Sequence, residues 1–135
     1  MNVLSPQIIN LPKFIDPRGN LSFIEEEKQI SFKIMRVYWI YDVPGGEKRG
    51  GHAFREQQEL IVALSGSFEV HINDGKKKTA FTLNRSYSGL YIPNGLWREM
   101  VSFSTNSVAM VLSSTLYSEL DYIRDFNEFL KFKGL

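Results

Sequence analysis

The feature that most narrows the folds open to this chain is its punctuation. Short apolar or alternating runs are each closed after a few residues by Gly, Pro, Asn or Asp. Glu59-Leu60-Ile61-Val62-Ala63-Leu64 is almost wholly apolar, and Ser65-Gly66-Ser67 turns it into Phe68–Asn73, where Phe68, Val70 and Ile72 alternate with polar residues. Asp74-Gly75 then signals a hairpin into Lys76–Leu83, whose opening lysines suit a solvated sheet edge. Further strands are expected at Ile8–Leu11, at Leu21–Glu25 after the Asp16–Asn20 turn, and at Ser88–Ile92, Leu96–Phe103 and Ser107–Leu112. The segment Phe32–Val43 also fits a helical period through Ile34, Val37, Ile40 and Val43. Its β-branched and aromatic content, and the stop at Pro44-Gly45-Gly46, decide for a strand. Only Asp121–Phe132, with Tyr122, Ile123, Phe126, Phe129 and Leu130 at helical steps, reads as a helix. Many short strands and one late helix predict an all-β chain, a closed or sandwiched antiparallel barrel spanning residues 1–135 as one domain.

Composition removes several functions. With 135 residues the chain should bury roughly 65–70% of its unfolded surface, enough for a core without staples. The absence of cysteine excludes disulfides, thiolate catalysis and cysteine-bound zinc. A net charge of +1, with both signs mixed along the chain, gives no electrostatic case for nucleic acid or an acidic membrane. No apolar run approaches the roughly 20 residues that span a bilayer. The opening Met-Asn-Val-Leu-Ser-Pro lacks the basic and apolar regions of a signal peptide, so a cytoplasmic location is expected. Ten Phe, six Tyr and two Trp suit strands, and also stacking against a base or sugar ring.

The stretch with chemical content runs from Arg49-Gly50-Gly51-His52 to Glu59 and Gly66, and is read as a loop leading into a strand. It resembles the first motif of the cupin superfamily, in which two histidines one residue apart precede a glutamate and a glycine. His52, Glu59 and Gly66 match, but Phe54 stands where the second histidine belongs. Pro93-Asn94-Gly95-Leu96-Trp97-Arg98 resembles the second cupin motif, with Arg98 in place of its histidine. At most His52 and Glu59 remain of a set of three histidines and a glutamate. Beside a permanently charged guanidinium these make a poor cation site, so no metal is expected.

A closer resemblance is to the nucleotide-diphosphate-sugar 3,4-ketoisomerases, small metal-free cupins. It rests on Asp16-x-Arg18-Gly19-x-Leu21, Arg36-Val37-Tyr38, Arg49-Gly50-x-His52-Ala53, Leu64-Ser65-Gly66-Ser67, Gly89-Leu90-Tyr91, Trp97-Arg98-Glu99-Met100 and Asp121-Tyr122-Ile123-Arg124, in order along nearly the whole chain. The resemblance implies a cupin barrel and isomerisation of a dTDP-linked 4-keto-6-deoxyhexose without a cofactor. It also implies a homodimer, and a place in making 3-amino-3,6-dideoxysugars for surface glycans. On this reading His52 is the base, because its unperturbed pKa of about 6.5 lies near working pH. Arg49 and Arg98 stabilise an enediolate, and Tyr38, Glu59 or a water moves the proton between O3 and O4. Arg18, Arg36, Gly51, Trp97, Arg98 and Tyr122 are the expected substrate-binding residues.

Plainer readings stand beside these. His52 could satisfy a backbone carbonyl, Glu59 could be a rim carboxylate paired with an arginine, and Trp97 and Tyr122 could be core. Arg18, Arg36 and Arg98 could be surface charges, Phe54 packing and His71 a rim residue. At the level of function, a non-catalytic sugar-nucleotide-binding cupin and an epimerase-like relative remain open.

Overall fold

The computed structural model describes residues 5–135. Residues 1–4, the start of the segment read for a signal peptide, lie outside the described residues. Twelve strands form in chain order: β1 (Gln7–Asn10), β2 (Lys13–Phe14), β3 (Leu21–Ser22), β4 (Arg36–Ile40), β5 (Arg49–Phe54), β6 (Glu59–Ser65), β7 (Phe68–Asn73), β8 (Lys78–Leu83), β9 (Ser88–Ile92), β10 (Trp97–Val101), β11 (Val108–Ser113) and β12 (Tyr122–Ile123). One 3-10 turn (Glu119–Asp121) precedes β12, and the helix α1 (Phe126–Phe132) follows it. One five-stranded sheet runs β1-β9-β6-β11-β4 and a second runs β12-β5-β10-β7-β8, with β2 and β3 forming a separate hairpin. All pairings are antiparallel. The expected all-β barrel with a short C-terminal helix is what forms.

Strand alternation sends each residue to one of two faces. Ile61, Ala63, Val70, Ile72, Ile92, Met100 and Val111 meet between the two sheets as the main core. The apolar run of β6 needs its other parity as well. Leu60 and Val62 pack outward under Leu11, Ile30 and Phe32, so this strand is buried on both faces. Outside the second sheet, Ala53, Trp97, Ile123 and Phe129 make a third cluster beneath α1.

Three elements differ from the sequence expectation. Arg49–Phe54 is a strand, not a loop, paired with β10 across an irregular register. The strand expected over Phe32–Val43 contracts to β4 (Arg36–Ile40), because Phe32 turns aside into the outer apolar cluster and Asp42 adopts a positive φ of 58°. The helix expected from Asp121 begins only at Phe126. Asp125 caps it by accepting from the Glu128 backbone N–H at 3.0 Å, and Tyr122-Ile123 instead pair with Phe54 and Ala53 of β5.

Helix α1 is tied to the barrel chiefly by Phe129, which is fully buried and packs 5.8 Å, ring to ring, from Trp97. Phe129→Ala is expected to cost about 3–5 kcal/mol of stability in denaturant unfolding. A loss below about 1 kcal/mol would show that α1 is an appendage.

Candidate active site

The inward parity of five strands gathers polar side chains at one mouth of the barrel. β4 supplies Tyr38, β5 supplies His52 and Phe54, β6 supplies Glu59, β10 supplies Arg98 and β12 supplies Tyr122. His52 and Arg98 are direct partners in the β5–β10 ladder, so their side chains rise from the same face as neighbours. A cleft of about 390 Å3 opens here, lined by Tyr38, Arg49, Gly51, His52, Arg98 and Tyr122 among others. That is large enough for a hexose and part of a polar tail.

Arg98 forms the floor. Its side chain is 2% exposed and forks onto Glu59, with Nε donating to Oε2 at 2.9 Å and Nη2 to Oε1 at 2.7 Å. Nη2 also donates to the Tyr38 hydroxyl at 3.1 Å, and Nη1 to the Gly50 carbonyl at 3.3 Å. Tyr38 in turn donates to Glu59 Oε1 at 3.0 Å, and Gln57 Nε2 donates to the same oxygen at 3.2 Å. Burial opposes the charge on Arg98, but the Glu59 carboxylate outweighs it and raises the guanidinium above its ordinary value. Tyr38 is raised as well, by burial first and then by the Glu59 charge, so its phenol keeps its proton. Gly50 is required where it stands. It has a φ of 74°, and a Cβ there would run into Arg98 Nη1.

His52 is held differently. Its ring lies in an aromatic angle, 4.8 Å from Phe54 and 4.9 Å from Tyr122 between centroids. Nε2 is buried without a hydrogen-bond partner among the described residues. Burial, then the charges of Arg98, Arg124 and Arg49, push its pKa down from 6.5 to about 2, against a smaller opposing effect of Glu119. The imidazole is therefore neutral, and its Nε2 is enclosed without a polar neighbour. Native structures rarely leave such a group unsatisfied unless a ligand completes it.

The expected site residues divide on this geometry. Tyr38, Arg49, Gly51, His52, Arg98 and Tyr122 share the cleft. Glu59 does not line it. It lies behind Arg98 with both oxygens occupied, as a support rather than a group facing a ligand. Arg36 is also behind the wall, donating to Gln57 Oε1 at 2.8 Å, where Thr115 donates too. Trp97 points to the opposite face of its strand and packs edge-on against Phe126 under α1, because strand parity sends it away from Arg98. Arg18 stands on the β2–β3 turn, its side chain 90% exposed and paired with Asp16. Two residues were missed. Gln57 is 2% exposed and orients Glu59. It shares a face with Glu59 by parity, which is visible once the Glu56–Glu59 stretch is taken as extended. Arg124 lines the cleft beside Tyr122, but the helix expected over that segment hid it.

A cupin metal does not fit these residues. Glu59 is fully engaged by Arg98, and the guanidinium sits where a third histidine would reach inward. Phe54 brings a hydrocarbon edge to the remaining position.

Comparison with known proteins agrees with this architecture. The FdtA family profile, described as WxcM-like, C-terminal, matches residues 4–134. The chain belongs to this family. It is 44% identical over 126 residues to the TDP-4-oxo-6-deoxy-alpha-D-glucose-3,4-oxoisomerase of Aneurinibacillus thermoaerophilus, covering 93% of this chain and 91% of that protein. A 3,4-ketoisomerase from Helicobacter canadensis superposes with a TM-score of 0.94 at 39% identity, over 98% of this chain and 99% of that one. A mutant of the 3,4-ketoisomerase QdtA from Thermoanaerobacterium thermosaccharolyticum, solved in complex with TDP-4-keto-6-deoxyglucose, gives a TM-score of 0.94 at 30% identity, over 98% and 96% of the two chains.

The state of His52 has a consequence for stability. A group whose folded pKa is lowered makes the native state bind fewer protons than the unfolded chain between about 2 and 6.5. Stability should therefore fall as pH drops below 6.5, by at most about 1.4 kcal/mol per pH unit from this residue. His52→Asn is expected to lose less stability than the wild type between pH 6.5 and pH 4 in denaturant melts. Parallel curves would show that His52 is freely protonated in the folded protein.

Proposed function

We propose that this chain moves the keto group of a TDP-linked 4-keto-6-deoxyhexose from C4 to C3 through an enediolate, with no cofactor. The observation that carries this reading is the neutral His52 imidazole lining the cleft beside the buried Arg98, its direct partner in the β5–β10 ladder. A ketone at C4 acidifies the C3–H bond. His52 takes that proton, the electron pair forms the C3=C4 double bond, and negative charge develops on the oxygens. Arg98, already desolvated and fixed by Glu59, is preorganised to receive that charge. Returning the proton to C4 and passing the O3 proton to O4 leaves the carbonyl at C3. Tyr38, protonated and hydrogen-bonded to both Arg98 and Glu59, is the group placed to relay between the oxygens.

Burial first, and the arginine charges after it, make His52 a weak base. A substrate that brings a diphosphate and develops an enediolate offsets them, so the imidazolium becomes tenable as the reaction needs it. Phe54 leaves this as a one-imidazole mechanism, in which a single base serves both carbons on one face of the sugar. Metal independence goes with the Arg98–Glu59 pair, which takes the place of a cation on the barrel floor.

A homodimer and a cytoplasmic site of action complete the proposal. No helix among the described residues is long and apolar enough to cross a membrane. For the dimer, Val37, Trp39 and Leu64 on the first sheet and Phe14 and Ile15 on the β2–β3 hairpin are all exposed apolar side chains. Exposed apolar side chains of this kind suit a surface covered by a second copy of the chain. Light scattering should give about twice the 15.6 kDa chain mass, and a monomer at micromolar concentration would remove the dimer.

The activity is tested by proton NMR of TDP-4-keto-6-deoxyglucose with the chelator-treated protein in deuterated buffer. Formation of a 3-keto isomer is expected, with deuterium at C4 to the extent that the His52 proton exchanges with solvent before it is returned. Binding with neither isomerisation nor exchange would make the chain a sugar-nucleotide-binding cupin, and exchange at C5 would make it an epimerase.

A further inference from the structure

The chain has two histidines, and strand parity separates them. His71 alternates with the core residues Val70 and Ile72, so its ring lies on the outer face of β7, where it meets Glu69 Oε1 at 2.9 Å. Of the two, only His52 lines the cleft. The carboxylates around it are engaged elsewhere. Glu59 lies behind Arg98, Glu119 accepts from the Arg124 guanidinium, and Asp121 accepts the backbone N–H groups of Glu56 and Gln57 at 2.7 and 3.1 Å. Phe54, two residues along β5 and 4.8 Å from His52 between ring centroids, has no proton to give.

The other titratable side chains lining the cleft are three arginines and two tyrosines. Arginine does not give up its proton in a protein. Tyr38 donates its hydroxyl hydrogen to Glu59, and burial, then the Glu59 charge, raise the phenol above its ordinary value, so it is a poor acid toward carbon. Tyr122 pairs through β12 with β5 and packs edge-on against His52, 4.9 Å between centroids, so it belongs to the same wall as the imidazole. The cleft therefore carries its carbon acid-base chemistry on one wall.

That asymmetry bears on the configuration of the product. When the C3–H pair becomes the C3=C4 double bond, both carbons are planar, and C4 can accept a proton on either face. The sugar itself does not choose. In a glucose-configured ring the hydrogens on C3 and C4 lie on opposite faces, whereas the galactose configuration at C4 puts both on one face. We infer that His52 returns the proton to C4 on the face from which it removed it at C3, so that the product is the 3-keto sugar with a galacto-configured, axial C4 hydroxyl. The proton lost by C3 is the one gained by C4, and the O3 proton passes to O4, so no further reactant is needed. The inference rests on the proposed isomerase activity and adds its stereochemical outcome, with Tyr38 confined to the oxygens.

The test is proton NMR of the product formed from TDP-4-keto-6-deoxyglucose in the first turnovers of the full chain. H5 is axial, so a large H4–H5 coupling marks the axial H4 of a gluco product and a small coupling the equatorial H4 of a galacto product. The galacto isomer alone is expected. Tyr38→Phe should slow its formation without changing its configuration. Label recovered at C4 from substrate deuterated at C3 would tie both steps to one base. A gluco product, or a mixture at the earliest times, would overturn one-face transfer while leaving the isomerase reading intact. A gluco product in the wild type that turns galacto in Tyr38→Phe would overturn it too, and assign delivery at C4 to Tyr38. Absence of any 3-keto isomer would overturn the inference and the proposed function together.

Discussion

The buried ion pair between Arg98 and Glu59 is the interaction on which the rest of the site depends. Taking both charges out of water costs several kcal/mol per ion in general, and a pair of this kind is tolerated only when its remaining donors and acceptors are met. Here they are met. Glu59 accepts from Arg98, Tyr38 and Gln57, and Arg98 gives its other bonds to Tyr38 and the Gly50 carbonyl. That completeness fixes the floor of the cleft in one geometry. It also sets the electrostatics above it, since after burial the Arg98 guanidinium is the strongest of the charges that keep His52 neutral. The barrel therefore carries a cation in covalent attachment on the floor of the cleft.

Much of this was legible in the sequence, for identifiable reasons. Strands β7 and β9 fall where alternation and turn residues place them, because period-two burial leaves a direct mark on Phe68, Val70 and Ile72. The replacement of two histidines by Phe54 and Arg98 could be read from motif position alone. What escaped was the direction in which side chains point. Trp97 and Arg98 are adjacent in the sequence, yet one lies under α1 and the other on the cleft floor. Choosing between those faces requires knowing which side of β10 is enclosed. Glu59 was legible as a site residue, but its position behind Arg98 emerges only when the fork of the guanidinium is placed.

The segment from Asp121 to Asp125 was the least legible. Its aromatic and apolar spacing suits a helix, and the Asp125 cap that starts α1 five residues late is a local signal the periodicity overrode. Pairing of Tyr122-Ile123 with β5 is a long-range contact that local propensity cannot reveal. Arg36 was misplaced for a related reason. Its charge suggested a ligand, whereas its fold position makes it a support for Gln57 and, through it, for Glu59.

The central claim is that a single imidazole, His52, carries the proton between two carbons above a fixed guanidinium. The most direct measurement is the rate of 3-keto isomer formation from TDP-4-keto-6-deoxyglucose, followed by NMR, for the wild type and for His52→Asn at equal occupancy. The account predicts a loss of about 10²–10⁴-fold in the variant, the range a general base usually contributes. A loss of less than tenfold, in a variant that still folds and binds dTDP, would contradict it and move the base to another residue of the cleft.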